Sequence, residues 1–501
     1  MYDLVIFNGI LVNAATISYP PIYIGVKDGK VAAISSLPIE GVKSIDAQGG
    51  IITPGGIDSH VHIDQPHSLP ADSFETATRS AICGGTTTVC SFANQFKDEE
   101  SIFPAIKEYQ GRAYGTCYCD YGMHLIISNT NPKFLNEEMP IMVREYGITS
   151  VKMYMTYKAL KLSDSEIIKM LITAKGLGVT TMIHAENSEM IDYIIDHFKE
   201  VGKTQPYYHA ASRPELAEDE ASYRAISLSK LADQSLLIVH MSTKPSLEHV
   251  RQAQSMNYPI YSETCPQYLF LTSEYLKSHC CAHHEEQPVI DDGNSITIDQ
   301  EDPYQGAKYI CSPPLRESKK ELNEVWRYLE NGTVTVYSSD HCPSQYDNSE
   351  GKKKGLKEDG SMDFSVVPNG LPGVETRLPL LFCYGVEAGR ITAQRFVEVS
   401  STNPAALYGM SKMKGSIDVG LDADIIIWYP KGKMKPFKLK NKMLHHRIDY
   451  TPYEGMEFKN WPRYTILRGK VVWDRENGGL QKENGHIGRY LRRGESTMGV
   501  H

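Results

Sequence analysis

The sequence predicts an α/β protein: a (β/α)₈ barrel with a small β-sandwich-like domain assembled from both chain ends. The middle of the chain alternates short β-rich runs with longer helix-like stretches, the pattern of parallel strands joined by helices. Both termini carry short strand-and-turn segments instead. Most central runs also finish on His, Lys, Asp, Glu or Ser in sequence otherwise fit for a buried strand. In a closed barrel such strand ends collect at one face.

From the N-terminus, DLVIFNGILVN places Asn8-Gly9 between two apolar runs, and IGVKDGKVAAI turns at Asp28-Gly29; both read as hairpins. Eight strand-like runs follow between about residues 57 and 342: GIDSHVHI, TTTVCSF, YGMHLIIS, SVKMYMT, TTMIHAEN, LLIVHMS, PIYSETCPQY and VTVYSSDHC. An early strand lacks a following GxGxxG, and eight units suit closure better than an open doubly wound sheet. Towards the C-terminus, ADIIIWYP and YTILRGKVVWD are again strand-like, with Gly469 at a turn.

The expected division is therefore 1–53 and 406–475 for the two parts of the small domain, 54–405 for the barrel, and 476–501 for a tail. The tail is polar and is expected to be ordered only by docking on something else. Residues 280–304 and 349–361 read as solvated, charged loops. In the first of these, His283 and His284 beside two cysteines offer a weak metal motif.

Composition narrows the function. With 501 residues, 41% hydrophobic and 23% charged, the chain has an ordinary globular make-up. A formal net charge of −9 argues against a nucleic-acid partner, which needs a basic footprint. No apolar run approaches the roughly 18 residues of a membrane span. Met1-Tyr2-Asp3-Leu4 lacks the basic flank of a secretory leader, and the ten cysteines form no CxxC pair, so reduced thiols in the cytoplasm are expected.

His60 and His62 alternate within a strand, so both point to one face and can grip one cation, although two half-exposed polar residues would look the same. Lys152 lies in an apolar strand where an ammonium is expensive to bury. It either reaches an acid, snorkels out, or loses its proton and reacts with carbon dioxide to form an anionic carbamate. His184 and His240 end two further β-rich runs, and Asp340 closes the last. Each alone suits a satisfied core group or a helix cap; together they suit a metal such as zinc.

The motifs HVH followed by Pro66, SVKMYMTY, HAEN, VHMS, SETCPQYLF, CSPPLR, SSDHCP and PNGLPGVETRLPLL resemble the dihydropyrimidinase/hydantoinase branch of the amidohydrolase superfamily. The resemblance spans nearly the whole chain. It implies an enzyme that opens the ring of dihydrouracil, dihydrothymine or hydantoins to N-carbamoyl amino acids, using two Zn²⁺ and a bridging hydroxide. It implies His60 and His62 on one metal, His184 and His240 on the other, and an N6-carboxylated Lys152 bridging them. Asp340 would ligate the first metal and shuttle protons. Tyr157 would donate to the oxyanion, and backbone groups of Ser312 and Asn369 would hold the ring amide. The resemblance also implies a small-molecule partner and a homotetramer.

A dihydroorotase-like site would call for an arginine two residues after His62, where this chain has Asp64. Gln267 and Asn369 point away from allantoinases. A non-catalytic scaffold resembling the collapsin response mediator proteins would have lost ligands, and all six are kept. The loop IDQPHSLPADSFET is shorter than the family's, with Gln65 and His67 in place of apolar residues. It leaves open another cyclic ureide, such as allantoin, as substrate.

Overall fold

A computed structural model describes residues 1–65, 71–277 and 302–498. Pro66, His67, His283 and His284 lie outside the described residues.

Seven strands open the chain: β1 (Tyr2–Phe7), β2 (Ile10–Val12), β3 (Ile17–Ser18), β4 (Tyr23–Lys27), β5 (Lys30–Ser35), β6 (Gly41–Asp46) and β7 (Ile51–Pro54). Eight more form the parallel sheet: β8 (Gly56–Val61), β9 (Thr86–Asn94), β10 (Asp120–Ile126), β11 (Ser150–Tyr154), β12 (Thr180–His184), β13 (Leu236–Ile238), β14 (Ile260–Thr264) and β15 (Val336–Tyr337). All eight sequence-predicted central runs are strands, paired in chain order. A bridge between Val61 and His341, with the His62 N–H donating to the His341 carbonyl at 2.7 Å, joins the first strand to the chain beyond the last and nearly closes the barrel. The remaining strands are β16 (Ile425–Trp428), β17 (Phe437–Lys438), β18 (Glu457–Phe458), β19 (Pro462–Leu467), β20 (Lys470–Asp474) and β21 (Gly479–Leu480).

The small domain has one sheet in the order β5-β4-β1-β6 and a second, β21-β20-β19-β16-β7-β2-β3, that mixes both chain ends. Leu4, Ile6, Ile24 and Ile52 meet Ile425, Ile427 and Ile466 between them. Period-2 alternation explains why β16 is apolar throughout: Ile425 and Ile427 face this sandwich, while Ile426 and Trp428 face the barrel-side core. Trp428 stacks on Phe382 there, with ring centroids 4.0 Å apart.

The turns at Asp28-Gly29 and Arg468-Gly469 are hairpins, as expected. Asn8-Gly9 is not. Strand β1 pairs with β4 and β6, whereas β2 pairs with β3 and β7, so this turn carries the chain from one sheet to the other. A Cβ on Gly9 would lie 2.5 Å from Ile52 Cδ1, so the crossing needs glycine for close sheet packing.

The polar tail docks on this chain's own barrel. The Tyr121 N–H donates to the Arg489 carbonyl, the Leu491 N–H to the Tyr121 carbonyl and the Arg493 N–H to the Gly147 carbonyl. Leu491 joins Tyr408 in the cluster of strand residues inside the barrel.

Candidate active site

Alternation also decides what enters the barrel. In β11 Val151 and Met153 pack outward, leaving Lys152 and Tyr154 on the inner face; in β12 Ile183 packs outward, leaving Met182 and His184. The register sets Lys152 beside Met182 and Tyr154 beside His184. His60 lies in β8 and His62 just beyond it; His240 follows β13 and Asp340 follows β15.

The structure brings these six residues together. Lys152 Nζ is 2.8 Å from His60 Nε2. Asp340 Oδ1 is 3.2 Å from the same nitrogen and 3.7 Å from His62 Nε2. The ring centroids of His60 and His240 lie 5.4 Å apart, and those of His184 and His240 4.4 Å. All six are buried.

Tyr157, Ser312 and Asn369 line the same cavity of about 280 Å³, at the small end for a ligand pocket. Asn369 Nδ2 donates to Tyr157 Oη at 3.4 Å. Gln65 and Asn94 form a polar wall, with Asn94 Nδ2 donating to Gln65 Oε1 at 2.9 Å and Gln65 Nε2 to the Phe92 carbonyl at 3.0 Å. Gly370 completes the lining at φ 123, and a Cβ there would strike the Cys342 carbonyl at 2.1 Å.

Tyr157, His240 and Asp340 all hold positive φ, at 65°, 39° and 48°. Such backbone costs roughly 1–3 kcal/mol per non-glycine residue and persists where the surroundings enforce it. Three such residues border this one cavity, which is consistent with a functional site.

Burial and the Lys152 cation hold the imidazoles of His60 and His62 well below their usual range, so both are neutral and able to ligate. Burial, with neighbouring His184, does the same for His240. Burial also lowers the Lys152 amine to about 8, against the pull of Asp340 and Glu263. The Asp340 carboxyl is pushed up by burial, with Lys152 opposing.

The donor set fits a divalent cation. Ligand atoms of His60, His62 and Asp340 lie within 4.8 Å of one another. Buried His240 Nδ1 has no hydrogen-bond partner among the described residues, so this cavity-lining imidazole is not committed there to a protein group.

Sequence reasoning missed the carboxylates behind the histidines. Glu263 Oε1 lies 2.6 Å from His60 Nδ1 and accepts the His240 N–H at 3.1 Å. It fixes the tautomer that leaves His60 Nε2 free. Glu186 Oε2 lies 2.6 Å from His184 Nε2 and accepts from Arg213 Nη1 at 2.7 Å. Burial alone would raise the Glu186 carboxyl, but Arg213 and His184 hold it at about 2. A signal for Glu263 existed: a carboxylate inside a β-rich run is as costly to bury as Lys152. We predict that Glu263→Gln weakens metal binding by about 10–100-fold, measured by competition with a chromogenic chelator. Unchanged affinity would reject that orienting role.

A model of the amidohydrolase family matches residues 51–472. The chain belongs to the amidohydrolase family. This amidohydrolase is 38% identical over 475 residues to a D-hydantoinase of Ralstonia pickettii, covering 94% of this chain and 95% of the relative. It is also 38% identical over 470 residues to a D-hydantoinase of Geobacillus stearothermophilus, covering 93% and 92%. Among solved structures, a dihydropyrimidinase from Brevibacillus agri aligns with TM-score 0.86 at 36% identity, over 98% of this chain and 99% of that one. The amidohydrolase is a metal-dependent cyclic amidohydrolase of the hydantoinase/dihydropyrimidinase type.

Proposed function

We propose that the enzyme opens the ring of 5,6-dihydrouracil, dihydrothymine or simple hydantoins, giving N-carbamoyl amino acids. The supporting observation is a single small cavity in which Lys152, His62, His184, His240 and Asp340 adjoin Tyr157, Ser312 and Asn369. In this reading His60, His62 and Asp340 would hold one Zn²⁺, and His184 and His240 would hold a second. Lys152 would supply an anionic ligand to both if its neutral Nζ added to carbon dioxide and gave up a proton. The bound cations supply Lewis acidity and lower the pKa of water.

The chain's own groups supply the rest. Backbone groups of Ser312 and Asn369 orient the ring amide. Burial keeps the Tyr157 phenol protonated, raised to about 12, so it remains a donor to the oxyanion that forms when water adds to the ring carbonyl. Asp340 takes the proton of that water and delivers it to the ring nitrogen as the C–N bond breaks.

A second reading, a more polar ureide such as allantoin, is favoured by the Gln65–Asn94 wall. We further propose a cytoplasmic homotetramer, with domain limits at 53/54, 405/406 and 475/476. Exposed Leu216, Tyr223 and Leu231 on the helix Glu215–Ala232 are candidate subunit contacts. Values of kcat/KM for dihydrouracil, dihydrothymine, hydantoin and allantoin test the substrate. At least one of the first three is expected to lead. No turnover on any of them would reject the preferred reading and leave the family assignment intact.

A further inference from the structure

The charged run 349–361 is not simply solvated. Gly351, Lys352 and Gly355 are buried, and Lys352 is 0% exposed. Its Nζ donates to the Ile310 carbonyl at 2.8 Å and to the Pro368 carbonyl at 2.7 Å. The Lys352 N–H donates to the Gln345 carbonyl and its own carbonyl accepts from Tyr304 Oη, so its backbone is held from both sides. Among the described residues it forms no ion pair: two neutral carbonyls are the acceptors of a buried amine whose pKa burial lowers to about 7. That is a costly arrangement, and one that generic packing does not require.

The two carbonyls are informative. Ile310 lies two residues before Ser312, and Pro368 immediately precedes Asn369. The Ile310 carbonyl also accepts the Gly370 N–H at 3.0 Å, so amine and backbone together clasp the two segments that carry Ser312 and Asn369 to the cavity. The Pro368 carbonyl and the Asn369 N–H belong to the same peptide unit. An amine N–H donating to the carbonyl draws electron density through that unit and makes its N–H a stronger donor. Among the described residues the Asn369 N–H has no acceptor of its own.

We infer that Lys352 is a positioning residue for substrate binding, fixing the Ser312 and Asn369 segments at the spacing of a ring amide and polarising the Asn369 N–H towards it. This rests on the reading that those two backbones hold the ring. The amine touches neither the prospective metal ligands nor the reacting atoms, so its loss acts on recognition rather than on the chemical step.

Lys352→Met tests the inference on the full-length, metal-loaded enzyme with the best ring of the substrate panel. KM is expected to rise about tenfold or more, with kcat within about threefold and bound metal unchanged. Unaltered KM, or kcat and metal content falling together with affinity, would overturn it. Should Lys352→Met fail to fold, Lys352→Gln keeps an N–H donor group of shorter reach and should give the same split to a smaller degree. If the wild type opens none of the rings, the functional reading fails separately. Calorimetry with dihydrouracil and hydantoin then decides: tenfold weaker binding in the variants supports the inference, while equal binding, or none by the wild type, overturns it.

Discussion

Lys152→Ala is expected to lose bound metal and hydrolysis together, with kcat down by about 10³-fold or more. Short carboxylates such as acetate or propionate should restore part of both. Lys152 is 1% exposed, and its Nζ sits 2.8 Å from His60 Nε2 and near the faces of Phe92 and Tyr154. An ammonium there competes with a cation for the same histidine, so as free lysine the residue opposes metal binding. The proposed reaction with carbon dioxide would reverse that sign: the amine would become a two-oxygen anion at a place where burial already favours the uncharged, reactive form. Alanine removes the obstacle and, in the proposed reading, the anionic ligand; the second loss is expected to dominate, in contrast to the case where only an obstacle is removed. Rescue by an added carboxylate separates these cases, because only a missing anionic ligand can be replaced from solution. Metal analysis and turnover, each with and without 50–100 mM acetate as an order-of-magnitude dose, make the check. A variant that keeps its metal and full turnover unaided would remove Lys152 from the ligand set.

How much of this was legible in the sequence depended on how local the deciding interaction is. The barrel strands were readable because their burial and side-chain alternation are written within five or six residues, and the strand-end His60, His184, His240 and Asp340 interrupt an apolar pattern. The turns at Asp28-Gly29 and Arg468-Gly469 were readable for the same reason. Asn8-Gly9 carries an equally strong turn signal, but whether the flanking strands pair is decided by β4, β6 and β7, which lie farther along the chain. Lys352 shows the same limit in the other direction. It sits among three consecutive lysines, and average composition assigns the run to solvent, whereas one of the three finds two carbonyls 42 and 16 residues away. The tail's partner, likewise, is a barrel strand more than 300 residues earlier, at Tyr121. Glu263 and Glu186 were visible as residues, but their roles exist only as pairings with His60 and His184.

Asp340→Asn should lower kcat by about 10³-fold or more while KM changes only a few-fold. Asparagine is the informative replacement because Asp340 lies at φ 48, a conformation that asparagine tolerates and alanine does not. The amide keeps the side-chain shape beside His60 and His62 but loses the charge and the ability to carry a proton. On the proposed roles two losses are then superimposed, of a metal ligand and of a proton shuttle, and they respond differently to conditions. Excess metal should refill the site and recover any deficit that arises from ligation. The shuttle deficit should persist at saturating metal, and its size should follow the leaving group. A ring amide needs its nitrogen protonated as the C–N bond breaks, whereas a cyclic ester, or an amide with a strongly acidic leaving nitrogen, departs with little help. Turnover of such activated substrates should therefore fall far less than turnover of dihydrouracil or hydantoin. Equal losses on activated and ordinary rings at saturating metal would confine Asp340 to holding the cation and assign the proton transfer to another group.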